Sequence, residues 1–268
     1  MKKLSLLSLA LLGVLFLSNC KKETEDGGAT NNTETPKQRA VGIYFGGTWC
    51  PPCGAYGKPA KEQLVNQLGD DVILISCQVN GSTADPMNNA DANSFAAGFG
   101  VTTVPILYTG GGNGVMQGAG GSSVMATTVI SNANAILKLA PSANISATYS
   151  ISGSSVTVNT TTKFLQDQTE EYMVGAYLLE DGITATQSSD GSTNKNIHDH
   201  ILRTKLSTAI FGDAIGSNLK KGDSKEKSFT GTINPSWNSS KLSVAVVLWR
   251  KNTDGKVTIS NGVNATLK

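Results

Sequence analysis

The sequence predicts an α/β domain at residues 38–140, followed by an all-β domain at residues 141–268. In the first segment, short apolar runs that suit buried strands alternate with helix-like stretches. After Pro141 the pattern changes to alternating polar and apolar residues, which is typical of half-buried strands. The composition agrees, since 29 glycines and only 16% charged residues disfavour a coiled coil or a helical bundle.

The N-terminus predicts a signal peptide at residues 1–19. Lys2 and Lys3 precede an apolar run from Leu4 to Leu17, which is shorter than the roughly 20 residues of a membrane-spanning helix. The run ends in Leu-Ser-Asn-Cys, which resembles a bacterial lipobox, and the resemblance implies that Cys20 is lipidated. A plain secretory signal with a chance cysteine is the alternative.

Residues 20–37 are polar and lack apolar periodicity, so we expect a flexible tether between the lipid and the first domain. Without Lys2 and Lys3, 20 basic and 20 acidic side chains remain. A neutral chain lacks the basic footprint of a nucleic-acid-binding protein. We therefore expect contact with a membrane through the N-terminal lipid and no nucleic acid.

A dithiol motif follows the first predicted strand, Ala40–Phe45. Trp49 precedes Cys50-Pro51-Pro52-Cys53, and the two prolines favour the first turn of a helix. Cys50 would face the positive end of the helix dipole, which lowers the pKa of a thiol. Trp49 would shield one side of the pair. A structural disulfide and a zinc site are the alternatives, although a structural zinc needs four ligands, and we expect no metal.

The next elements complete an α/β order. Residues 71–79 predict a buried strand with Cys77 as an inert apolar side chain, and a helix is expected over residues 88–99. A strand near residues 101–108, a turn at residues 110–114 and a helix over residues 122–139 follow.

Two motifs in this order resemble the thioredoxin fold: Trp49–Cys53 and Phe99–Pro105. The resemblance implies that Cys50 is the attacking thiolate and Cys53 the resolving thiol. It also implies a cis Pro105 beside the disulfide, a Val104 backbone free to pair with a substrate chain, and no cofactor.

Three departures from thioredoxin stand out. Tyr44 occupies the position of the buried carboxylate six residues before the first cysteine. Pro59 lies six residues past Cys53 instead of five, which predicts a bulge or kink near Gly57 and Lys58. The chain between Cys50 and Pro105 is longer than in thioredoxin, and we expect the excess in a loop at residues 81–89, near the site.

The second segment predicts six or seven short strands and an Ig-like β-sandwich. It contains no cysteine. The predicted strands are residues 145–149, 155–161, 172–180, 227–232, 242–249 and 256–259. Trp249 closes a valine-rich strand, so we expect it in the core.

His198 and His200 would project to one side of an extended chain, as a metal pair or a pH-sensitive patch. A polar loop with hydrogen-bonded histidines is the alternative. This stretch, together with residues 177–183, Gln187, the lipobox and the Cys50–Cys53 motif, resembles the outer membrane protein 28-related family. That family combines a lipid anchor, a thioredoxin-like domain and a β-domain, and the resemblance implies the architecture better than an activity.

These expectations combine into a lipid-anchored outer membrane protein that faces the periplasm or the cell surface. It would be a thiol–disulfide oxidoreductase acting on protein thiols or disulfides, with an unnamed redox partner. The alternative is a non-enzymatic surface lipoprotein, a binding or adhesion module, in which the thioredoxin fold is only a scaffold.

Overall fold

The computed structural model describes residues 35–110, 114–116, 121–189 and 192–268. Residues Pro36–Lys268 form one compact unit. The predicted signal peptide, the lipidated Cys20 and nearly all of the tether lie outside the described residues, as does most of the glycine-rich turn after Gly110.

The first segment has the element order that the resemblance to thioredoxin implies. Its elements are β1 (Ala40–Gly46), α1 (Lys58–Leu68), β2 (Val72–Gln78), α2 (Ala90–Gly98), β3 (Ile106–Thr109), β4 (Val115–Met116) and α3 (Gly121–Leu137). β1 lies between a parallel β2 and an antiparallel β3, and β4 pairs with β3.

Both faces of β1 are buried because its side chains alternate between two helical layers. Tyr44 packs with Leu64 of α1 and Val129 of α3 on one face. Phe45 packs with Phe95 of α2 on the other. This double burial explains the continuous apolar run of β1.

In its described residues, 141–189 and 192–268, the second segment has β-strands and one short 3₁₀ turn at Ser239–Lys241. Its strands are β5 (Ala143–Ser152), β6 (Ser155–Phe164), β7 (Glu171–Glu180), β8 (Ile183–Ser189), β9 (Ser192–His198), β10 (Ile201–Lys205), β11 (Asp213–Gly216), β12 (Ser224–Thr232), β13 (Leu242–Lys251), β14 (Val257–Asn264) and β15 (Thr266–Leu267). The strands expected from the alternating pattern are all present, whereas β8, β9, β10, β11 and β15 were not predicted.

One sheet runs through both segments, with the order β14-β13-β7-β10-β2-β1-β3-β4 and β11 beside β7. β10 makes the junction, because Ile201 pairs with Ser76 of β2 and the Ser76 N–H donates to the His200 carbonyl at 2.8 Å. The change of pattern at Pro141 therefore marks a change of secondary structure without dividing the sheet.

The two segments also share a core beneath α2. Phe95 lies 5.1 Å from Tyr177 and 6.1 Å from Trp249, measured between ring centroids. Trp249 is fully buried, as expected, and its indole N–H donates to the Tyr177 hydroxyl at 2.9 Å.

A second sheet, in the order β12-β6-β5-β15, covers the other face of β7 and β13. The shared core includes Val156 and Phe229 from this sheet, and Val174 and Val246 from the large one. The second segment is thus a pair of packed sheets, as an alternating pattern favours. The Ig-like connectivity stays a prediction.

The β8–β9 hairpin, Ile183–Ser189 with Ser192–His198, forms a separate two-stranded sheet. It projects from the end of β7 toward the turn that follows β1, where the Ser188 N–H donates to the Thr48 carbonyl at 2.8 Å. This placement brings part of the second segment to the dithiol motif.

Candidate functional site

The dithiol turn, Gly47–Cys53, joins β1 to the first helix. Cys50 and Cys53 form a disulfide with their Cα atoms 5.2 Å apart, and Pro51 and Pro52 are the first helical residues. The Cys53 N–H lies 3.2 Å from the Cys50 sulfur. The same N–H also donates to the Cys50 carbonyl at 3.0 Å. The N–H groups and positive dipole of a helix N-terminus favour a thiolate, so the position suits a reactive cysteine.

The extra residue before Pro59 is absorbed in a π-helical turn at Cys53–Gly57, directly before α1. A π-turn accommodates one more residue than an α-helical turn without breaking the helix. The predicted irregularity is confirmed, although it begins at Cys53 and not near Lys58.

The Val104–Pro105 peptide bond is cis, as the resemblance implied. The Val104 carbonyl oxygen lies 3.8 Å from the Cys50 sulfur. Gly57 fits closely beneath Pro105, because a Cβ at Gly57 would come within 2.6 Å of the proline Cβ. The cysteine motif and the proline motif, which are far apart in sequence, thus meet at one site.

Trp49 adjoins Cys50 in the turn and is held by its own contacts, whereas its shielding of the cysteine pair stays a prediction. The indole N–H donates to the Val79 carbonyl at 2.8 Å, and the ring packs on Gly47 and Gly81. Gly81 opens the loop that we expected near the site, so the extra residues before Pro105 do reach it.

Asp85, in the same loop, is a buried anchor of the turn that the sequence did not reveal. One carboxylate oxygen accepts from the Thr48 N–H at 2.6 Å and from the Thr48 hydroxyl at 2.9 Å. The other accepts from the Met87 N–H at 2.8 Å. No local pattern marks this role, because Asp85 and Thr48 are 37 residues apart.

Tyr44 lies beneath the site, next to Lys61. Lys61 is, after Asp85, the second buried group here that was not predicted from the sequence. Burial, followed by the charges of Asp85 and Glu62, raises the pKa of Tyr44, so its phenol stays protonated and does not replace a carboxylate base. The Lys61 amine lies 5.2 Å from the Tyr44 ring centroid and donates to the Ser76 hydroxyl at 2.9 Å.

Lys61 is only 3% exposed, and burial lowers its pKa to about 8. A signal for its burial was present in the sequence, since residue 61 shares the inner face of α1 with Ala60 and Leu64. This burial was not predicted from the sequence, because the positive charge of lysine usually keeps the side chain exposed.

Gln187 of β8 reaches into the dithiol turn from the second segment. Its side-chain amide lies 3.2 Å from the Gly47 carbonyl and 3.0 Å from the Ser188 carbonyl, with the Thr48 and Cys50 carbonyls at 3.4 Å. An amide has two N–H hydrogens, so the two shorter contacts are the better hydrogen bonds. The resemblance had included Gln187 but assigned it no role.

His198 and His200 do not form a pair on an extended chain. β9 ends at His198, and His200 takes a left-handed backbone with φ 59° before β10 begins. His198 is buried with its Nε2 atom unpartnered, and burial lowers its pKa to about 4. His200 lies 3.7 Å from Asp181, and burial lowers its pKa as well. The extended geometry fails because the chain turns between the two strands.

Among the residues that the structure describes, no three His, Cys, Asp or Glu side chains are grouped to hold a metal ion. Cys77 is a free thiol buried in β2, as expected, and burial raises its pKa. No helix in the described part of the chain is long and apolar enough to cross a membrane.

Fold and site together define a protein in which an α/β layer with a C-x-x-C disulfide continues into a β-layer. The chain belongs to the outer membrane protein Omp28 family, whose sequence pattern matches residues 92–265. The match begins within α2, so the two cysteines precede it, and membership alone assigns no chemistry to them. No curated protein matches the chain.

Two solved structures share the fold at low identity. HBP35 of Porphyromonas gingivalis is 16% identical with a TM-score of 0.65, over 87% of this chain and 76% of that one. Protein AGR_C_4864 from Agrobacterium tumefaciens is 17% identical with a TM-score of 0.53, over 87% of this chain and 96% of that one. Both similarities extend across the two segments.

Proposed function

We propose that this protein is a lipid-anchored thiol–disulfide oxidoreductase that acts outside the cytoplasm on protein thiols or disulfides. The observation that carries the proposal is the meeting of three features at one point. The Cys50–Cys53 disulfide lies at a helix N-terminus, and the carbonyl of Val104, which precedes the cis Pro105, lies 3.8 Å from the Cys50 sulfur.

The reaction needs no cofactor. The Cys50 thiolate attacks one sulfur of a substrate disulfide, the substrate S–S bond breaks, and a substrate thiolate leaves. The Cys53 thiolate then attacks the Cys50 sulfur, which releases the second substrate thiolate and re-forms the Cys50–Cys53 disulfide. The substrate gains two electrons that the cysteine pair loses, and the reverse sequence oxidises a substrate dithiol.

The membrane anchor belongs to the same proposal. Membership of an outer membrane protein family fits the lipobox-like Cys20. Lipid chains on Cys20 would anchor the protein, because each buried CH₂ contributes roughly 0.8 kcal/mol. The polar tether would then hold the site away from the membrane surface.

Trapping of mixed disulfides in the native membrane tests the proposal. In the full-length Cys53→Ser variant, Cys50 should accumulate covalent complexes with proteins that dissociate on reduction. Cys50→Ser is the matched control and should trap none. If neither variant captures a partner, the oxidoreductase proposal fails.

The reduction potential of the Cys50–Cys53 pair determines whether the protein oxidises or reduces its substrates. A value near about −180 mV or above would mark an oxidant or isomerase, and one near about −270 mV a reductant. A potential below roughly −300 mV with slow exchange would mark a structural disulfide. Burial of both cysteines, 3% and 1% exposed, favours that second candidate, a non-enzymatic surface protein whose disulfide braces the turn.

A further inference from the structure

The β8–β9 hairpin lies on the turn that carries the disulfide on which the proposed function depends. Besides the hydrogen bond from Ser188 to Thr48, its backbone packs on the turn that carries Cys53. A Cβ at Gly54 would lie only 2.1 Å from the Ser188 carbonyl oxygen, so glycine is required for this approach.

The two cysteines of this turn are only 3% and 1% exposed. Thiol–disulfide exchange requires an incoming thiolate to reach a sulfur of the pair. A thiol on the surface of a folded protein brings a large body with it, whereas a small dithiol needs a much narrower opening. The hairpin therefore discriminates between these two classes of reductant by size.

The hairpin is attached in a way that permits it to move. It pairs with neither large sheet, since β8 and β9 bond to each other as a separate ribbon. Gln187 and Ser188 attach it to the dithiol turn. A two-stranded ribbon outside the main sheets opens at a lower free energy than strands in the core.

We infer that the β8–β9 hairpin is a specificity cover, with Gln187 as its latch, that excludes protein thiols from Cys50–Cys53 until it is displaced. The inference rests on the proposed function. In the exchange that it gates, a reductant thiolate attacks the Cys50 sulfur, the Cys50–Cys53 bond breaks and Cys53 leaves as a thiolate. A second thiolate of the reductant then releases Cys50, so the reductant becomes a disulfide and the pair gains two electrons.

The rate of reduction by a small and by a large reductant tests the cover. The oxidised full-length protein in detergent is mixed with dithiothreitol or with reduced bacterial thioredoxin, quenched by alkylation and read by mass. Gln187→Ala removes the latch, and Gly54→Ala pushes the Ser188 carbonyl away. Gln166→Ala, an exposed residue outside the hairpin, is the control.

We expect both latch variants to raise the ratio of the thioredoxin rate to the dithiothreitol rate by about tenfold, because a lost buried hydrogen bond shifts an opening equilibrium by that order. The control should leave the ratio unchanged. A shift in reduction potential alone would change both rates together and leave the ratio constant. If Gly54→Ala fails to fold, Gln187→Ala decides.

The outcomes separate the cover from the proposed function. If wild type and latch variants are reduced equally fast by thioredoxin, the oxidoreductase stands and the cover is wrong. If no variant exchanges with either reductant, the proposed function fails and the cover fails with it. A rise in the ratio confined to the latch variants supports both.

Discussion

At the scale of single residues, two side chains from distant parts of the sequence stabilise the dithiol turn. Asp85 accepts the hydrogens of Thr48, and Gln187 donates to the Gly47 carbonyl. The Gly47 carbonyl also accepts from the Cys50 N–H at 3.2 Å, whereas the Thr48 N–H donates to Asp85. Buried polar groups are costly when left unpaired. The geometry around Cys50 therefore depends on both residues.

Asp85→Ala should destabilise the protein by about 1–3 kcal/mol, because the Thr48 N–H and hydroxyl lose their acceptor in a buried place. Urea unfolding of the oxidised protein measures the change. Asp254→Ala, which removes an exposed carboxylate, should stay within about 0.5 kcal/mol of wild type. Equal effects of the two substitutions would contradict the role given to Asp85.

Lys61 couples stability to pH in a direction that burial sets. Its folded-state pKa of about 8 lies below the ordinary value of 10.5, so between these values the unfolded chain binds a proton that the folded chain does not. Stability relative to a variant without this amine therefore rises with pH across that window and falls as pH drops toward 8.

The free energy of unfolding of the wild type, relative to that of Lys61→Met, should rise by up to about 1.4 kcal/mol per pH unit between pH 8 and pH 10. Urea unfolding at a series of pH values measures the difference. Lys138→Met, which replaces an exposed lysine, is the control. If the difference for Lys61→Met does not change with pH, the Lys61 amine stays charged in the folded protein and the prediction is wrong.

At the scale of elements, α2 connects the two segments through its N-cap residue, Asn89. The Asn89 side-chain oxygen caps the helix by accepting from the Ala92 N–H at 2.9 Å. Its amide donates to the Leu202 carbonyl of β10 at 2.6 Å. One side chain thus caps a helix and attaches it to the strand that joins the two segments.

Two substitutions separate these roles. Asn89→Ser keeps a capping oxygen and loses the bond to Leu202, whereas Asn89→Ala loses both. We expect Asn89→Ala to cost about 0.5–2 kcal/mol for the cap in addition to the cost of Asn89→Ser. Urea unfolding measures both variants, and equal losses would show that the cap contributes nothing.

At the scale of the whole molecule, the continuous sheet and the core around Phe95 make the two segments one cooperative structure. Phe95 contacts Tyr177 and Trp249 as well as Phe99, so the same side chain stabilises both segments. An interface between separate domains would involve fewer buried aromatic contacts and would permit independent unfolding.

Phe95→Ala should therefore lower the protection of β1 and β13 together, with a loss of about 3–5 kcal/mol of stability. Hydrogen exchange followed by mass spectrometry reports each strand separately. Ser94→Ala, next to Phe95 on the exposed side of α2, is the matched control. Loss of protection in β1 alone would show that the segments are independent domains.

The sequence by itself determined the α/β order of the first segment, six strands of the second and the reactive pair, because these depend on local spacing. Strand alternation, the helix periods and the Cys50–Cys53 motif with its prolines are short-range signals, and the extra residue before Pro59 correctly indicated an irregular helix. The resemblance to thioredoxin predicted that Cys50 lies near Val104 and Pro105. No local sequence pattern could predict this proximity.

Only the tertiary structure decided what surrounds that pair. β10 had to be placed beside β2 before the sheet could be seen to continue, and the β8–β9 hairpin had to be placed on Gly54 before the disulfide could be seen as covered. Lys61 and Asp85 have charged side chains, which solvent usually holds at the surface. Their burial follows from partners that lie 15 and 37 residues away in the chain, and such distant hydrogen bonds leave no periodic trace in a sequence.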